Sequence, residues 1–190
     1  LHLPNNPRCV VKQLKPQIAH SEAWESAVRM FDREAEVLYN LGHHPQIPAL
    51  FAHFQEEKQF YLVQEFIQGE VLNQTLKQQE QLGELQVVDL LHSILNILIF
   101  VHGKQVIHRD IKPSNLIHRP QDGQFVLIDF GAVKQLIQQN TLTIDHDATF
   151  TIAVGSSGYM ANEQLAGRPR YNSDIYALGI VALQMLTGRS

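Results

Sequence analysis

The chain has 190 residues, of which 44% are hydrophobic and 18% are charged, and its formal net charge is −4. These values predict one soluble globular domain or most of a larger one, and the mild acidity argues against nucleic acid or an anionic membrane as the main partner. The single cysteine, Cys9, excludes an intrachain disulfide and fits a cytoplasmic location. No apolar run reaches the ~18 residues of a membrane span, so we expect no membrane segment in this stretch.

The first third of the chain predicts a strand, a helix and a hairpin. The run over residues 9–14 is typical of a strand, and alternation places Val10 and Lys12 on the same face. Apolar residues at steps of three or four predict a helix over 22–41, with Glu34 near its apolar face. A carboxylate in that position needs a partner. The two hairpin strands are predicted at 49–55 and 59–66.

The rest of the chain is predicted to be mainly helical, with small strands. After a linker at 68–70, the pattern predicts helices at 71–81 and 86–102 and short strands at 116–118 and 125–128. A long functional loop is predicted at 132–160 and a last helix at 175–186. Gly103 is expected to cap the second helix, and Ser173 and Asp174 the last one. The last helix is apolar almost all round, which predicts that it is buried.

Two loops carry the residues with catalytic chemistry. The run H-R-D-I-K-P-S-N contains Asp110, Lys112 and Asn115, and Asp129 follows the apolar strand that comes next. A carboxylate can accept a hydrogen bond from an attacking hydroxyl, and a lysine can neutralise charge on a phosphate. Carboxylate and amide oxygens are the ligands that Mg²⁺ prefers. Because phosphoryl transfer needs positioning and charge compensation more than covalent chemistry, these residue types predict that reaction.

The motifs and their order resemble those of the protein kinase family, whose catalytic and metal-binding loops read H-R-D and D-F-G. C-V-V-K resembles the family's lysine strand and ends at Lys12, and R-E-A places Glu34 in the helix that follows. M-A-N-E resembles the end of the activation segment. S-D-I-Y-A-L-G resembles a buried helix in which Asp174 braces the catalytic loop. The resemblance covers about residues 9–188 and implies an α+β, kinase-like two-lobe fold: a small antiparallel sheet with one helix, then a mainly helical lobe.

The resemblance assigns a role to each matching position. Asp110 is implied to orient the substrate hydroxyl, and Lys112 to steady the γ-phosphoryl group. Lys12 is implied to hold the α- and β-phosphates, with Glu34 as its ion-pair partner. The metal ligands implied are Asn115 and Asp129. The residues implied around adenine are the gatekeeper Gln64, the backbone of Glu65 and Ile67, and the side chains of Val10 and Ile117.

Specificity and regulation are implied in the same way. Ser156 occupies the position that bonds the catalytic aspartate and lysine, so it implies serine/threonine specificity together with Lys112. Arg109 and Lys134 are implied to receive a phosphate carried by the activation loop. The nearest candidate phosphorylation sites are Thr149 and Thr151. Autophosphorylation of this loop would bring two copies of the chain together as a homodimer.

The resemblance also implies the extent of each lobe. Residues 1–67 would form part of an N-terminal lobe and residues 68–190 part of a C-terminal lobe. No glycine precedes Gly42, so we expect the glycine-rich phosphate loop and the last helices of the family to lie outside this stretch. The stretch alone is then expected to bind ATP poorly. Glu163 is expected to lack the arginine that usually pairs with it, and so to remain unpaired.

The function implied is transfer of the γ-phosphoryl group of ATP to serine or threonine in protein substrates, with Mg²⁺ or Mn²⁺, in a eukaryotic-like kinase of a bacterium. The alternative is a pseudokinase or scaffold module that binds nucleotide or partners without catalysis. The intact residues Lys12, Glu34, Asp110, Asn115 and Asp129 argue against it. A small-molecule phosphotransferase is a third hypothesis, which the activation segment argues against. The location implied is cytoplasmic, with any membrane tether outside this stretch.

Overall fold

The computed structural model describes residues 8–14, 21–57, 59–79, 81–132, 134–135 and 155–189. Thr149 and Thr151 lie outside these residues, and so does the side chain of Lys134. The predictions made for those three positions therefore stay predictions.

A three-stranded antiparallel sheet forms the first part of the molecule. Its strands are β1 (Cys9–Leu14), β2 (Leu50–Glu56) and β3 (Gln59–Glu65), in the spatial order β1–β3–β2. Helix α1 (Ser21–Leu41) contacts this sheet and the short 3₁₀ turn Phe130–Ala132. Its buried face carries Leu38 and, among the apolar side chains, the carboxylate of Glu34.

The second part is built from helices and short strand pairs. The helices are α2 (Leu72–Gln78), α3 (Glu84–Gly103), α4 (Asn162–Leu165) and α5 (Tyr171–Thr187). The strands are β4 (Glu70–Val71), β5 (Val106–Ile107), β6 (Leu116–Arg119), β7 (Gln124–Leu127) and β8 (Lys134–Gln135). They form the sheets β4–β6–β7 and β5–β8, both antiparallel. This arrangement is the α+β fold expected from the sequence.

Helix α3 is central to the core. Its buried stripe, which includes Leu90, Ile94 and Ile97, packs on α5 and β7 because these residues recur at steps of three or four. Among the described residues, α3 is the one helix long and apolar enough to cross a membrane by length and composition. The helices of a protein core pass the same test, so this property is weak evidence for a membrane span.

Four local predictions differ from the structure. Gly103 is the last residue of α3, and the residue with a positive φ is Gln105 (60°). Helix α5 begins at Tyr171, so Ser173 lies in its first turn and accepts a hydrogen bond from the Arg170 amide instead of capping the helix. Helix α5 is not buried all round, because the side chain of Leu183 is 57% exposed. The predicted linker at 68–70 enters strand β4.

Candidate functional site

A cleft opens between the first sheet and the β6–β7 hairpin, with a volume of about 210 Å³. Its walls come from β1, β3, the segment after β3, and the loops around β6 and β7. The lining residues are Val10, Lys12, Pro48, Gln64, Glu65, Phe66, Ile67, Asn115, Ile117, Ile128 and Asp129. Every residue predicted around adenine or at the metal is among them. Of the residues predicted to bind the nucleotide, Glu34 alone lies behind the wall, where it contacts Lys12.

The Lys12 ammonium group joins the two sides of this cleft. Nζ of Lys12 lies 2.5 Å from Oε1 of Glu34 on α1 and 3.0 Å from Oδ1 of Asp129 after β7. Burial alone lowers the pKa of Lys12, but the charges of Glu34 and Asp129 outweigh it and raise the pKa overall. Burial likewise raises the pKa of Asp129, and the charge and hydrogen bond of Lys12 reverse this and lower it. Lys12 and Asp129 are therefore both charged near neutral pH.

The catalytic-loop residues form a compact hydrogen-bonded group around Asp110. Oδ1 of Asp110 accepts a hydrogen bond from Ser156 Oγ at 2.9 Å, and Oδ2 lies 2.7 Å from Lys112 Nζ. Lys112 also donates to Ser156 Oγ at 2.7 Å. Asn115 Nδ2 donates to the backbone oxygen of Asp110 at 2.8 Å and to its Oδ2 at 3.1 Å. These contacts hold the carboxylate in one orientation at the edge of the cleft.

Helix α5 supports the catalytic loop through Asp174, a fully buried residue. Its Oδ2 accepts a hydrogen bond from the His108 amide at 2.9 Å, and its Oδ1 from the Arg109 amide at 2.8 Å. Arg109 has a φ of 70°, which is uncommon for a residue with a side chain. The two bonds to Asp174 offset the cost of this conformation. The brace predicted for Asp174 is thus present in the geometry.

The segment after β3 leaves backbone groups free to face a ligand. Glu65 pairs with Cys9 in the sheet, and its amide donates to the Ala49 carbonyl at 2.9 Å. Neither backbone group of Ile67 has a hydrogen-bond partner within the described part of the chain. Gly69 lets this segment approach β6, because a Cβ atom there would lie 2.3 Å from the His118 carbonyl oxygen. The edge of a purine could pair with Ile67 here, between Val10 and Ile117.

The oxygen atoms of Asn115 and Asp129 at the inner end of the cleft are suitable ligands for a divalent cation. In the described part of the chain, the Asn115 amide nitrogen is engaged by Asp110, and its Oδ1 atom has no hydrogen-bond partner. Asp129 binds Lys12 through Oδ1, and its carboxylate also accepts a backbone hydrogen bond from Gly131. An amide oxygen and a carboxylate oxygen are hard ligands of the kind that Mg²⁺ and Mn²⁺ prefer. No group of three or more His, Cys, Asp or Glu side chains that could hold a metal occurs among the described residues.

The Arg109 side chain is buried without full hydrogen bonding. It is 5% exposed, and its Nε and Nη2 atoms have no hydrogen-bond partner in the described parts of the chain. Burial and the nearby charge of Arg33 lower the pKa of Arg109, and the charge of Asp174 opposes them. A guanidinium group with unused donors, close to a second guanidinium group, favours an anion as its ligand. Arg33 was not predicted from the sequence, because a lone exposed arginine on a helix carries no signal.

Glu163 was expected to remain unpaired, and this expectation is wrong. Its Oε1 accepts hydrogen bonds from Ser173 Oγ at 2.8 Å and from Asn172 Nδ2 at 3.1 Å. The bond from Ser173 is the main reason that the pKa of Glu163 lies below its ordinary value. The first turn of α5 therefore supplies polar partners to this carboxylate.

His102 also contacts the site and was not predicted from the sequence to do so. Its Nε2 lies 2.8 Å from Oδ2 of Asp174, and its ring packs on Tyr171 with centroids 4.7 Å apart. It follows Leu98 by four residues and so continues the buried stripe of α3. A histidine at such a position signals a buried polar partner, and that signal was available in the sequence.

Comparison with known proteins agrees with this geometry. The model of the protein kinase domain family matches residues 1–190. Serine/threonine-protein kinase PknA of Nostoc sp. is 47% identical over 188 residues, which are 98% of this chain and 33% of that protein. Serine/threonine-protein kinases B and C of Synechocystis sp. are 46% and 44% identical, each over 190 residues, covering 99% and 100% of this chain and 33% and 35% of those proteins. The chain thus spans about a third of the length of these relatives. The match along the whole chain, together with the cleft and the group around Asp110, shows that the chain belongs to the protein kinase family.

Proposed function

We propose that the chain is the catalytic part of a serine/threonine protein kinase, which transfers the γ-phosphoryl group of ATP to a hydroxyl of a protein substrate. The single observation that carries the proposal is the group formed by Asp110, Lys112 and Ser156, with contacts of 2.7–2.9 Å. It places a carboxylate that can accept a proton beside a cation, next to the cleft. The names of the relatives support the same chemistry.

Each residue has a distinct part in the proposed reaction. Asp110 accepts a hydrogen bond from the attacking hydroxyl and aligns its oxygen, while Lys112 compensates the negative charge of the γ-phosphoryl oxygens. Lys12, held by Glu34, binds the α- and β-phosphates. Asn115 and Asp129 would hold Mg²⁺ or Mn²⁺, which neutralises charge on the phosphates when bound.

The nucleotide base is proposed to lie between Val10 and Ile117. Backbone groups of Glu65 and Ile67 would bind its polar edge, and Gln64 would close the rear of the cleft. We propose residues 1–67 and 68–190 as the parts of the two lobes between which the nucleotide binds. The pseudokinase alternative has no observation in its favour, since each predicted catalytic residue lies in or next to the cleft.

Replacing Asp110 tests the proposed function. In the full natural protein, Asp110→Asn should lower kcat at least about a hundredfold, because Asn keeps the size of the side chain and removes the acceptor charge. The affinity for Mg-ADP, measured by calorimetry, should change little, since Asp110 does not line the cleft. Asp89→Asn, the same change at an exposed site on α3, is the control. Equal activity of wild type and Asp110→Asn would refute the proposed role.

We also propose that Arg109 receives an activation-loop phosphate, with Thr149 and Thr151 as candidate carriers and Lys134 as a second cation. Within the described part of the chain, Nε and Nη2 of Arg109 have no hydrogen-bond partner and Arg33 lies nearby, which supports this proposal. A phosphothreonine brings about 1.5–2 negative charges and three acceptor oxygens. Mass spectrometry of active protein should find a phosphate between residues 141 and 157. Full activity of protein that carries none would contradict the proposal. Transfer between two copies should make the phosphorylation rate depend on protein concentration.

A further inference from the structure

We infer that Gln64 is a positioning residue for the phosphoryl-transfer reaction: its side-chain amide holds the Glu34 carboxylate in the orientation that binds Lys12. The inference rests on the proposed function and assigns Gln64 a role beyond that of a wall of the nucleotide cleft. It concerns the side chain of Gln64, which lies on β3 opposite Val10 on one side and Leu50 on the other.

The first observation is the contact itself. Gln64 is 6% exposed and Glu34 is 4% exposed, so both groups are almost completely removed from water. Nε2 of Gln64 donates to Oε1 of Glu34 at 3.1 Å. A buried carboxylate needs donors to replace its hydration, and a buried amide needs acceptors, so each group stabilises the other in this position. The bond connects the rear wall of the cleft to α1.

The second observation is that two donors meet at one oxygen. Oε1 of Glu34 also accepts the Lys12 ammonium group, at 2.5 Å. Lys12 and Gln64 reach this oxygen from neighbouring strands, β1 and β3, because their positions lie two residues apart in the antiparallel register. With two donors on one atom, the carboxylate cannot turn about its last torsion without losing both bonds.

The third observation is that Lys12 has another acceptor. Its Nζ lies 3.0 Å from Oδ1 of Asp129, on the opposite side of the cleft. If Glu34 rotated away, Lys12 could stay bound to Asp129, which is a proposed metal ligand. The Gln64 amide opposes that outcome, because it keeps Glu34 in place whether or not Lys12 is engaged elsewhere. Gln64 therefore favours the arrangement in which Lys12 is shared between Glu34 and Asp129.

The inference is tested by removing the amide donor while keeping the volume. In the full natural protein, Gln64→Met should lower kcat roughly tenfold, as expected for loss of one hydrogen bond to a charged group. Gln64→Glu should lower it further, because it places a second carboxylate against Glu34. Gln55→Met makes the same change at an exposed site on β2 and should leave kcat as in wild type.

A double-mutant cycle separates positioning from direct contact with the nucleotide. If Gln64 acts through Glu34, then Gln64→Met should change kcat less than about twofold in a Glu34→Ala background. Equal losses in both backgrounds would overturn the inference, and so would a wild-type kcat for Gln64→Met. A rise in the KM for ATP that persists with Glu34→Ala, without an effect on kcat, would assign Gln64 to base binding and would also overturn it.

The same cycle, read by urea unfolding, is independent of activity. The effects of Gln64→Met and Glu34→Ala on the free energy of unfolding should be coupled. If the two effects add, the contact is refuted. If the variants show this coupling and the wild-type protein binds Mg-ADP but transfers no phosphoryl group, the proposed function is refuted while the Gln64 contact stands. The test of the proposed function and the test of the Gln64 contact can therefore fail separately.

Discussion

His108 shows how burial determines the chemistry of a single residue. Its ring is fully buried and packs edge-on against Phe130, with centroids 4.8 Å apart. Nδ1 accepts a hydrogen bond from the Asp110 amide at 3.3 Å. Burial lowers the pKa of His108, although the charges of Asp174, Asp110 and Asp129 oppose this shift. The ring is therefore neutral in the folded protein and serves packing and loop geometry.

This pKa shift predicts a loss of stability in mild acid. The folded-state pKa lies below the ordinary value of 6.5, so the unfolded chain binds the proton first as the pH falls. The contribution of His108 to stability is complete above that value and decreases below it, by up to about 1.4 kcal/mol per pH unit. The variant His108→Phe should remove this part of the slope in urea unfolding between pH 7.5 and 5.5.

The control for that measurement is His43→Phe at an exposed site, which should leave the slope as in wild type. If His108→Phe has the same slope as wild type, the buried ring is not the group that titrates. Ionic strength has to be held constant, because charges at the surface are screened by salt and contribute to the slope.

Residue identities could be predicted from the sequence more readily than their contacts. The order of the motifs predicted Lys12, Glu34 and Asp129 as site residues through the resemblance, and the three groups are in contact in the structure. The bond from Gln64 to Glu34 could not be predicted, because it depends on strand register and a side-chain rotamer. Glu163 illustrates the same limit: its partners Asn172 and Ser173 follow from where α5 begins, which the periodicity placed too late.

At the level of elements, helix α5 holds the catalytic loop in place. Asp174 lies in its first turn and accepts bonds from two consecutive backbone amides and from the His102 ring. Gln164 also donates to the Arg109 carbonyl, at 2.6 Å. These bonds hold Arg109 in its left-handed conformation.

Replacing Asp174 should therefore destabilise the protein strongly. Asp174→Asn keeps the shape and leaves one acceptor oxygen for two backbone donors, so we expect the free energy of unfolding to fall by about 2–3 kcal/mol. Urea unfolding at pH 7 measures this. Asp89→Asn, at an exposed site on α3, should change it by no more than about 0.5 kcal/mol. A similarly small effect of Asp174→Asn would contradict the proposed brace.

Periodicity predicted most elements but not their ends or exposed faces. The bounds of the three strands of the first sheet and of helix α1 agree with the predicted ranges to within two residues, since alternation and the helical repeat are local properties. The chain leaves α3 in a left-handed conformation at Gln105, two residues after the glycine that was expected to cap it. In α5, composition alone could not separate the buried face from the face that carries Leu183.

At the scale of the whole molecule, the segment between α1 and β2 joins the first sheet to the β6–β7 hairpin. The backbone oxygen of Gln46 accepts a hydrogen bond from the Leu127 amide at 3.0 Å, and its Nε2 donates to the Phe125 carbonyl at 2.9 Å. Arg119 donates to the Pro45 carbonyl at 2.9 Å. These bonds connect residues that are far apart in the chain, so no local pattern predicted them. They connect the two parts of the molecule between which the cleft opens.

The variant Gln46→Leu tests whether this connection controls the cleft. Leucine nearly keeps the volume but leaves the Phe125 carbonyl without its side-chain donor, so unfolding should become easier by about 1–3 kcal/mol. Because residues of β3 and the residues that follow β7 both line the cleft, a looser connection should also weaken Mg-ADP binding, although Gln46 does not line the cleft. Gln55→Leu, on the exposed part of β2, should change neither quantity. Loss of stability with unchanged affinity would mean that other contacts, chiefly Lys12 with Asp129, set the width of the cleft by themselves.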